Sequence, residues 1–250
     1  MQNHLRAFVE RAVEAFELRG PVYDFVACGG VRPAVAPWRP LFLGQHYVNC
    51  GTRLGPGIDR LFDPARLAMC DGAARTVIGI GLLERVFEPL RAVEELTRVL
   101  APGGVMLLAA AWGGCLDEPG DYWRMTPSCL ARMLAPLDAA LVAWQGAERS
   151  PHTVFGIGCK APIAAGVSGS MKRLIEGYQQ WVAAAGRATP WPQKLKAAAA
   201  RWCTDARWPH AGHDFQQVRF ALDLPFDRNW KTDLLPANGN VTTPVRLDLG

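Results

Sequence analysis

The chain lacks any run approaching the ~20 apolar residues that cross a bilayer, so no membrane span is expected. Its opening residues, MQNHLRAFVERAVEAFELRG, lack the uninterrupted apolar core of a secretory signal, and the expected location is cytoplasmic. Seven cysteines stand singly at 28, 50, 70, 115, 129, 159 and 203, with no C-x-x-C pair and no close Cys/His cluster. That spacing speaks against a disulfide framework and against zinc, and leaves most cysteines as small buried hydrophobes with no base beside them. No G-x-G-x-x-G follows the first strand-like segment, which argues against a nicotinamide-dependent oxidoreductase. Charge of one sign is also scarce. The net +4 comes from the back of the chain, where residues 160–250 hold 12 Lys and Arg against 7 Asp and Glu. That surplus falls short of a nucleic-acid binder's, and no recognition motif accompanies it.

What is present is enough apolar material for a core: half of the 250 residues are hydrophobic. The length suits one domain with an appended segment, divided here at 1–162 and 163–250. The clearest signal lies at residues 76–112. Residues 76–83 form an apolar strand. Pro89 then opens a helix in which Leu90, Val93, Leu96, Val99 and Leu100 recur at helical spacing. Ala101-Pro102-Gly103-Gly104 stops it, and residues 105–111 form a second strand without alternation, as when both faces are covered. Strand, helix and strand at this spacing make a parallel crossover.

The same logic places a leading amphipathic helix on Leu5, Phe8, Val9, Ala12, Val13 and Phe16, and strands at 22–28, 46–50 and 58–62. A helix from Thr126 through Leu134, with Thr126 as cap and Pro127 at its first position, precedes closing strands at 137–144 and 154–160. Seven strands with helices between them predict an open, mostly parallel α/β sheet. Beyond Pro162, Ser168-Gly169-Ser170 caps a helix striped with Met171, Leu174, Ile175, Tyr178, Trp181 and Val182, stopping at Gly186. A further helix is expected at 192–202, then little regular structure. This basic extension holds five of nine tryptophans, read either as a strap packing its aromatics on the domain or as an aromatic binding surface.

Particular residues add a family resemblance. Glu84-Arg85-Val86-Phe87-Glu88-Pro89, a helix, and Arg98-Val99-Leu100-Ala101-Pro102-Gly103-Gly104 resemble the EH(V/L)-x-(D/E)P and R-x-L-K-P-G-G wording of class I S-adenosylmethionine-dependent methyltransferases. The likeness runs over residues 20–160. Gly20-Pro21-Val22-Tyr23-Asp24-Phe25-Val26 is similar to G-P-V-Y-E-F-G, Arg39-Pro40-Leu41-Phe42 to R-P-L-F, and residues 47–60 to Y-V-G-C-D-M-R-x-G-P-G-V-D-R. Residues 63–72 resemble D-A-E-x-L-P-F-x-D-x, and Asp121-Tyr122-Trp123-Arg124-Met125-Thr126-Pro127 matches D-Y-W-R-(F/M/L)-T-P.

The resemblance implies a Rossmann-like seven-stranded sheet, S-adenosylmethionine as cofactor, and transfer of a methyl group to a small molecule or saccharide. The alternative it leaves open is an inactive relative kept as a binding or scaffold partner. Cofactor positions map to Asp24, Val26, Gly51, Thr52, Asp63, Pro64 and Gly81, and acceptor positions to Asp121, Tyr122, Trp123 and Arg124. Two depart from the pattern. Val26 stands for the glycine after strand one, and Gly51 for the acid that accepts the ribose hydroxyls. Losing a charge-assisted partner of that kind costs ~1.5–3 kcal/mol. Asp63 reads equally as an adenine contact or a turn cap, and Asp24 as a functional acid or a satisfied polar group within a strand. His152, His210 and His213 are the candidate bases; His210, His213 and Asp214 are too sparse a set for a metal.

Overall fold

The computed structural model describes residues 3–27, 37–113, 120–147, 150–188 and 218–223. The elements run α1 (Asn3–Phe16), β1 (Val22–Val26), a 3-10 turn (Arg39–Phe42), β2 (Tyr47–Gly51), β3 (Arg60–Leu61), β4 (Ala74–Ile80), α2 (Pro89–Val99), β5 (Leu100–Ala111), α3 (Pro127–Leu134), β6 (Ala139–Ala147), β7 (Ser150–Cys159), α4 (Val167–Ala188) and β8 (Val218–Asp223). One sheet carries all the strands in the order β3-β2-β1-β4-β5-β7-β6-β8. The links β3–β2–β1–β4–β5 are parallel, whereas β7 runs antiparallel to both β5 and β6.

Alternation along the central strands divides the side chains between two apolar layers. On one face Val77, Met106, Leu108, Val142 and Val154 meet Val93 and Leu96 of α2 and Leu130 and Leu134 of α3. On the other, Ile78, Leu107, Phe155 and Ile157 meet Phe8 and Val9 of α1 and Leu174 and Tyr178 of α4. Gly158 brings α3's end close to the sheet, since a Cβ there would lie 2.1 Å from Leu137 Cδ1. Polar side chains fix the ends. Thr126 Oγ1 accepts from Cys129 N at 2.9 Å as the expected cap, and Lys160 Nζ donates to the last carbonyls around α2, Thr97 O and Leu100 O. Arg98 holds residues 67–71 against α2 by donating to Leu67 O, Met69 O and Asp71.

The departures from expectation have local causes. The reversal at Ala101–Gly104 is an excursion inside β5, because pairing jumps from Ala74↔Leu100 to Thr76↔Val105. β3 keeps only two residues, the part that reaches Cys50 and Gly51. α4 runs through Gly186, its stripe already seated on α1 and the sheet. The expected division at 162 falls between β7 and α4; beyond it, α4 packs on α1 and β8 extends the sheet by pairing with β6. The expected helix at 192–202 and Trp191, Trp202, Trp208 and Trp230 lie outside the described residues.

Phe155 links the helical layer to the sheet. Its ring stacks on Phe8 at 4.6 Å and meets Tyr178 edge-on at 5.7 Å. Phe155→Ala is expected to cost about 3–5 kcal/mol in urea unfolding, against less than about 1 kcal/mol for the exposed ring in Phe87→Ala.

Candidate functional site

β1 is the only described strand flanked by two crossovers of opposite side. The β1–β2 connection carries Trp38 and Phe42 onto the α1/α4 face, and the β4–β5 connection carries α2 onto the other. The two connections therefore part at the carboxyl ends of β1 and β4 and leave a crevice, the position where open α/β sheets hold ligands. Seven strands in the order 3-2-1-4-5-7-6, with β7 reversed, complete the pattern. This is the fold of the class I methyltransferases.

Val26 and Gly51 are register partners at the carboxyl ends of β1 and β2, so the two residues that depart from the family pattern stand side by side. Two pairs earlier, Asp24 faces Asn49, and both are fully buried. Tyr47 donates its hydroxyl to Asp24 Oδ2 at 2.6 Å, while Asp24 Oδ1 and Asn49 Oδ1 have no hydrogen-bond partner among the described residues. Burial raises the Asp24 carboxyl to about 7, against the lowering pull of Tyr47 and Arg39, and burial likewise pushes the Tyr47 hydroxyl above its ordinary value. Arg39 lies 4.9 Å from the Tyr47 ring centroid and pairs with Asp59, whose Oδ2 also accepts from Asn49 N at 2.7 Å. The R-P-L-F and G-P-G-I-D-R segments thus meet through one ion pair beneath the crevice.

Gly51 itself leaves no room for a side chain. A Cβ there would lie 2.6 Å from Ile58 Cδ1, 3.0 Å from Ile58 Cγ1 and 3.1 Å from Arg53 O. Thr52 follows directly, beyond the strand. Asp63 and Pro64 lie past β3 in a turn, where Asp63 Oδ1 accepts from Ala65 N at 2.9 Å. One carboxylate oxygen of Asp63 is therefore committed to the turn. Gly81, just beyond β4, has φ +71 and donates its N–H to Ala109 O at 2.8 Å, a conformation that favours glycine.

Across the crevice, over β4 and β5, the sequence reading passed over Glu84. Its carbonyl accepts from Tyr122 N at 2.7 Å and Trp123 N at 3.2 Å, and its Oε1 lies 3.3 Å from Ala111 N. The residue is half-buried overall, yet Oε2 is shut from solvent and has no partner among the described residues. Burial raises its carboxyl above the usual range. Asp121 and Arg124 form a two-point pair, Nη1–Oδ1 at 2.5 Å and Nη2–Oδ2 at 2.7 Å, and Trp123 Nε1 donates to Phe87 O at 3.2 Å. The Phe87 and Tyr122 rings meet edge-on at 5.6 Å, leaving Tyr122 and Trp123 exposed. The four residues expected at the acceptor position, 121–124, are thus brought together with Glu84. Its signal was the acid of the E-H pair, placed just beyond a strand end.

His152 Nδ1 lies 2.8 Å from Thr153 Oγ1, and buried His4 Nε2 lies 3.0 Å from the same hydroxyl. The two imidazoles, 5.0 Å apart by ring centroids, share one hydroxyl at the carboxyl edge, where Thr153 pairs with Ala111. His210 and His213 lie outside the described residues.

No family model and no curated protein matches the chain. Solved structures with likeness to it include an S-adenosylmethionine-dependent methyltransferase from Thermotoga maritima (11% identity, 63% of this chain and 95% of that one, TM-score 0.42). Another is a methyltransferase of the same dependence from Aquifex aeolicus (14% identity, 59% and 88%, TM-score 0.40). A third is the Burkholderia thailandensis 1,6-didemethyltoxoflavin-N1-methyltransferase, with S-adenosylhomocysteine bound (13% identity, 62% and 78%, TM-score 0.45). The fold is read from strand order and register, independently of these likenesses.

For the cofactor that the fold implies, the ribose end does not fit the residues present: position 51 offers no acceptor, and Ile58 occupies the space beside it.

Asp24 makes stability depend on pH with a definite sign. Its folded-state value, about 7, lies above the ordinary 3.8, so the folded chain keeps a proton that the unfolded chain has released. The Asp24 contribution to stability is fully present below pH ~4 and is lost as pH rises to ~7, on the order of 4 kcal/mol. Asp24→Asn keeps an acceptor for Tyr47, and is expected to remove that slope and to raise the urea midpoint at pH 8 relative to wild type.

Proposed function

We propose that the chain is an S-adenosylmethionine-dependent methyltransferase acting on a small molecule or saccharide, with a weakened hold on its cofactor. The observation that carries this reading is the cluster over β4 and β5. Glu84 has an enclosed oxygen without a partner among the described residues, and its carbonyl anchors the backbone of the residues that present the Tyr122 and Trp123 rings and the Asp121–Arg124 pair. A hydroxyl or amine entering there would find an acceptor in Glu84 and aromatic surface for a ring's apolar face. Methyl transfer asks the protein mainly for alignment, the cofactor supplying an activated methyl group, so an enclosed acceptor pocket is the chief requirement on the chain. Residues 163–250 are proposed to strap the first 162 together rather than to bind nucleic acid.

A second reading, an inactive methyltransferase-like binding partner, is favoured by one observation: Val26 and Gly51, the two substituted cofactor positions, are register neighbours. Calorimetric titration with S-adenosylmethionine and S-adenosylhomocysteine separates the two. Saturable binding below about 1 mM is expected for the enzyme. No heat with either ligand at that concentration would leave the binding partner.

A further inference from the structure

We infer that Gly51 and Ile58 are a compensating pair that fills the β2 end of the crevice with hydrocarbon, so that this wall does not read a ribose diol. The inference rests on the proposed cofactor class only in naming the ligand; the pair itself is a feature of the fold.

The argument begins with the atom in contact. The family pattern has an acid at position 51 and valine at position 58, whereas this chain has glycine and isoleucine. Isoleucine exceeds valine by one methylene's worth of carbon, and the outermost atom it adds is Cδ1. That Cδ1 lies 2.6 Å from where a Cβ of residue 51 would stand, so a side chain there requires the tip of Ile58 to move aside. The two substitutions are therefore mutually consistent: glycine vacates a volume and the longer side chain enters it. Replacing only one residue violates close packing or leaves a void.

The surroundings keep the pair in place. Asn49 Nδ2 donates to Gly57 O at 2.7 Å, Asp59 N to Asn49 O at 2.9 Å, and Phe62 N to Gly51 O at 3.1 Å, so the 57–62 segment is tied to the edge of β2 on both sides of Ile58. The Arg39–Asp59 pair anchors its middle. Asp59 does not take the missing acid's part, since its Oδ2 is engaged by Arg39 and Asn49 N. The β2 wall consequently presents a methyl group where a vicinal diol would need an acceptor. In sites that read a diol, removing a hydroxyl leaves a polar partner unpaired and lowers affinity at least tenfold; here there is no such partner to strand.

The test uses the full chain with S-adenosylhomocysteine and its 2′-deoxyribose analogue in calorimetry, alongside thermal unfolding. Wild type is expected to treat the two ligands alike, within threefold. Gly51→Asp alone should lower Tm, and adding Ile58→Val should recover most of that loss while giving at least a tenfold preference for the ribose ligand. If wild type binds neither ligand and the double variant binds with that preference, the pair is upheld and the working methyltransferase is lost. A tenfold ribose preference in wild type would overturn the inference and leave the methyltransferase standing. A double variant with no gain in preference also overturns it, as does one in which Ile58→Val recovers no stability, including one that fails to fold.

Discussion

The structure depends on β1 being paired in parallel on both sides. Hydrogen bonding to β2 and β4 fixes Val22 opposite Tyr47 and Thr76, and each partner must then be reached by a crossover of its own. Parallel pairing forbids a tight hairpin, and right-handed crossovers that run outward in opposite directions, β1 to β2 and β4 to β5, must pass over opposite faces. The crevice at the carboxyl ends is the geometric remainder of that constraint. No residue in it has to be favourable for the fold to form, since the apolar layers lie along the strands and under the helices.

That separation explains how the two sides of the crevice differ. The β4/β5 side is bound to the fold by hydrogen bonds. Glu84 O accepts from the DYWR backbone, Met125 N donates to Ala111 O, and Thr126 caps α3, so a change there would loosen a helix as well as a ligand contact. The β1/β2 side is held by Asp24, Tyr47, Arg39 and Asp59, while Gly51 and Ile58 pack against each other at its end. Substitutions at that end need only satisfy close packing, and Gly51 with Ile58 does so.

Much of the frame was legible in the sequence because its signals are local. Helical spacing of Val93, Leu96 and Val99, the breakers at 101–104 and the Thr126–Pro127 start each encode an element within a few residues, and each is present. β8 was not legible. An edge strand is selected by the open side of β6, about 75 residues earlier in the chain, and periodicity within its own six residues carries no record of that partner. α4 outran its expected stop because contacts with α1 outweigh the helix propensity of a single glycine, worth ~1 kcal/mol. The site divides in the same way. Gly51 was visible as a missing acid, but its contact with Ile58 spans a loop whose path only the fold determines. Asp24 was visible as an acid within a strand; that Tyr47 takes one of its oxygens and nothing takes the other depends on register.

The unpartnered oxygens belong to the same argument. Asp24 Oδ1 and Asn49 Oδ1 are enclosed on paired strands, and Glu84 Oε2 is enclosed across the crevice. A buried acceptor without a donor costs on the order of 1–3 kcal/mol, and a buried carboxylate more, so groups of this kind persist only where proton uptake or a ligand compensates. For Asp24 the compensation is the proton, held to about pH 7 with the Tyr47 hydroxyl on its other oxygen. Glu84 differs in its neighbours. The Arg85 charge favours its ionised form while Asp121 opposes it, and its backbone carbonyl is already committed to the acceptor stretch. Burial raises the Glu84 carboxyl as it does that of Asp24, so a proton on Oε2 compensates in the same way, and the two sides of the crevice share one electrostatic constraint.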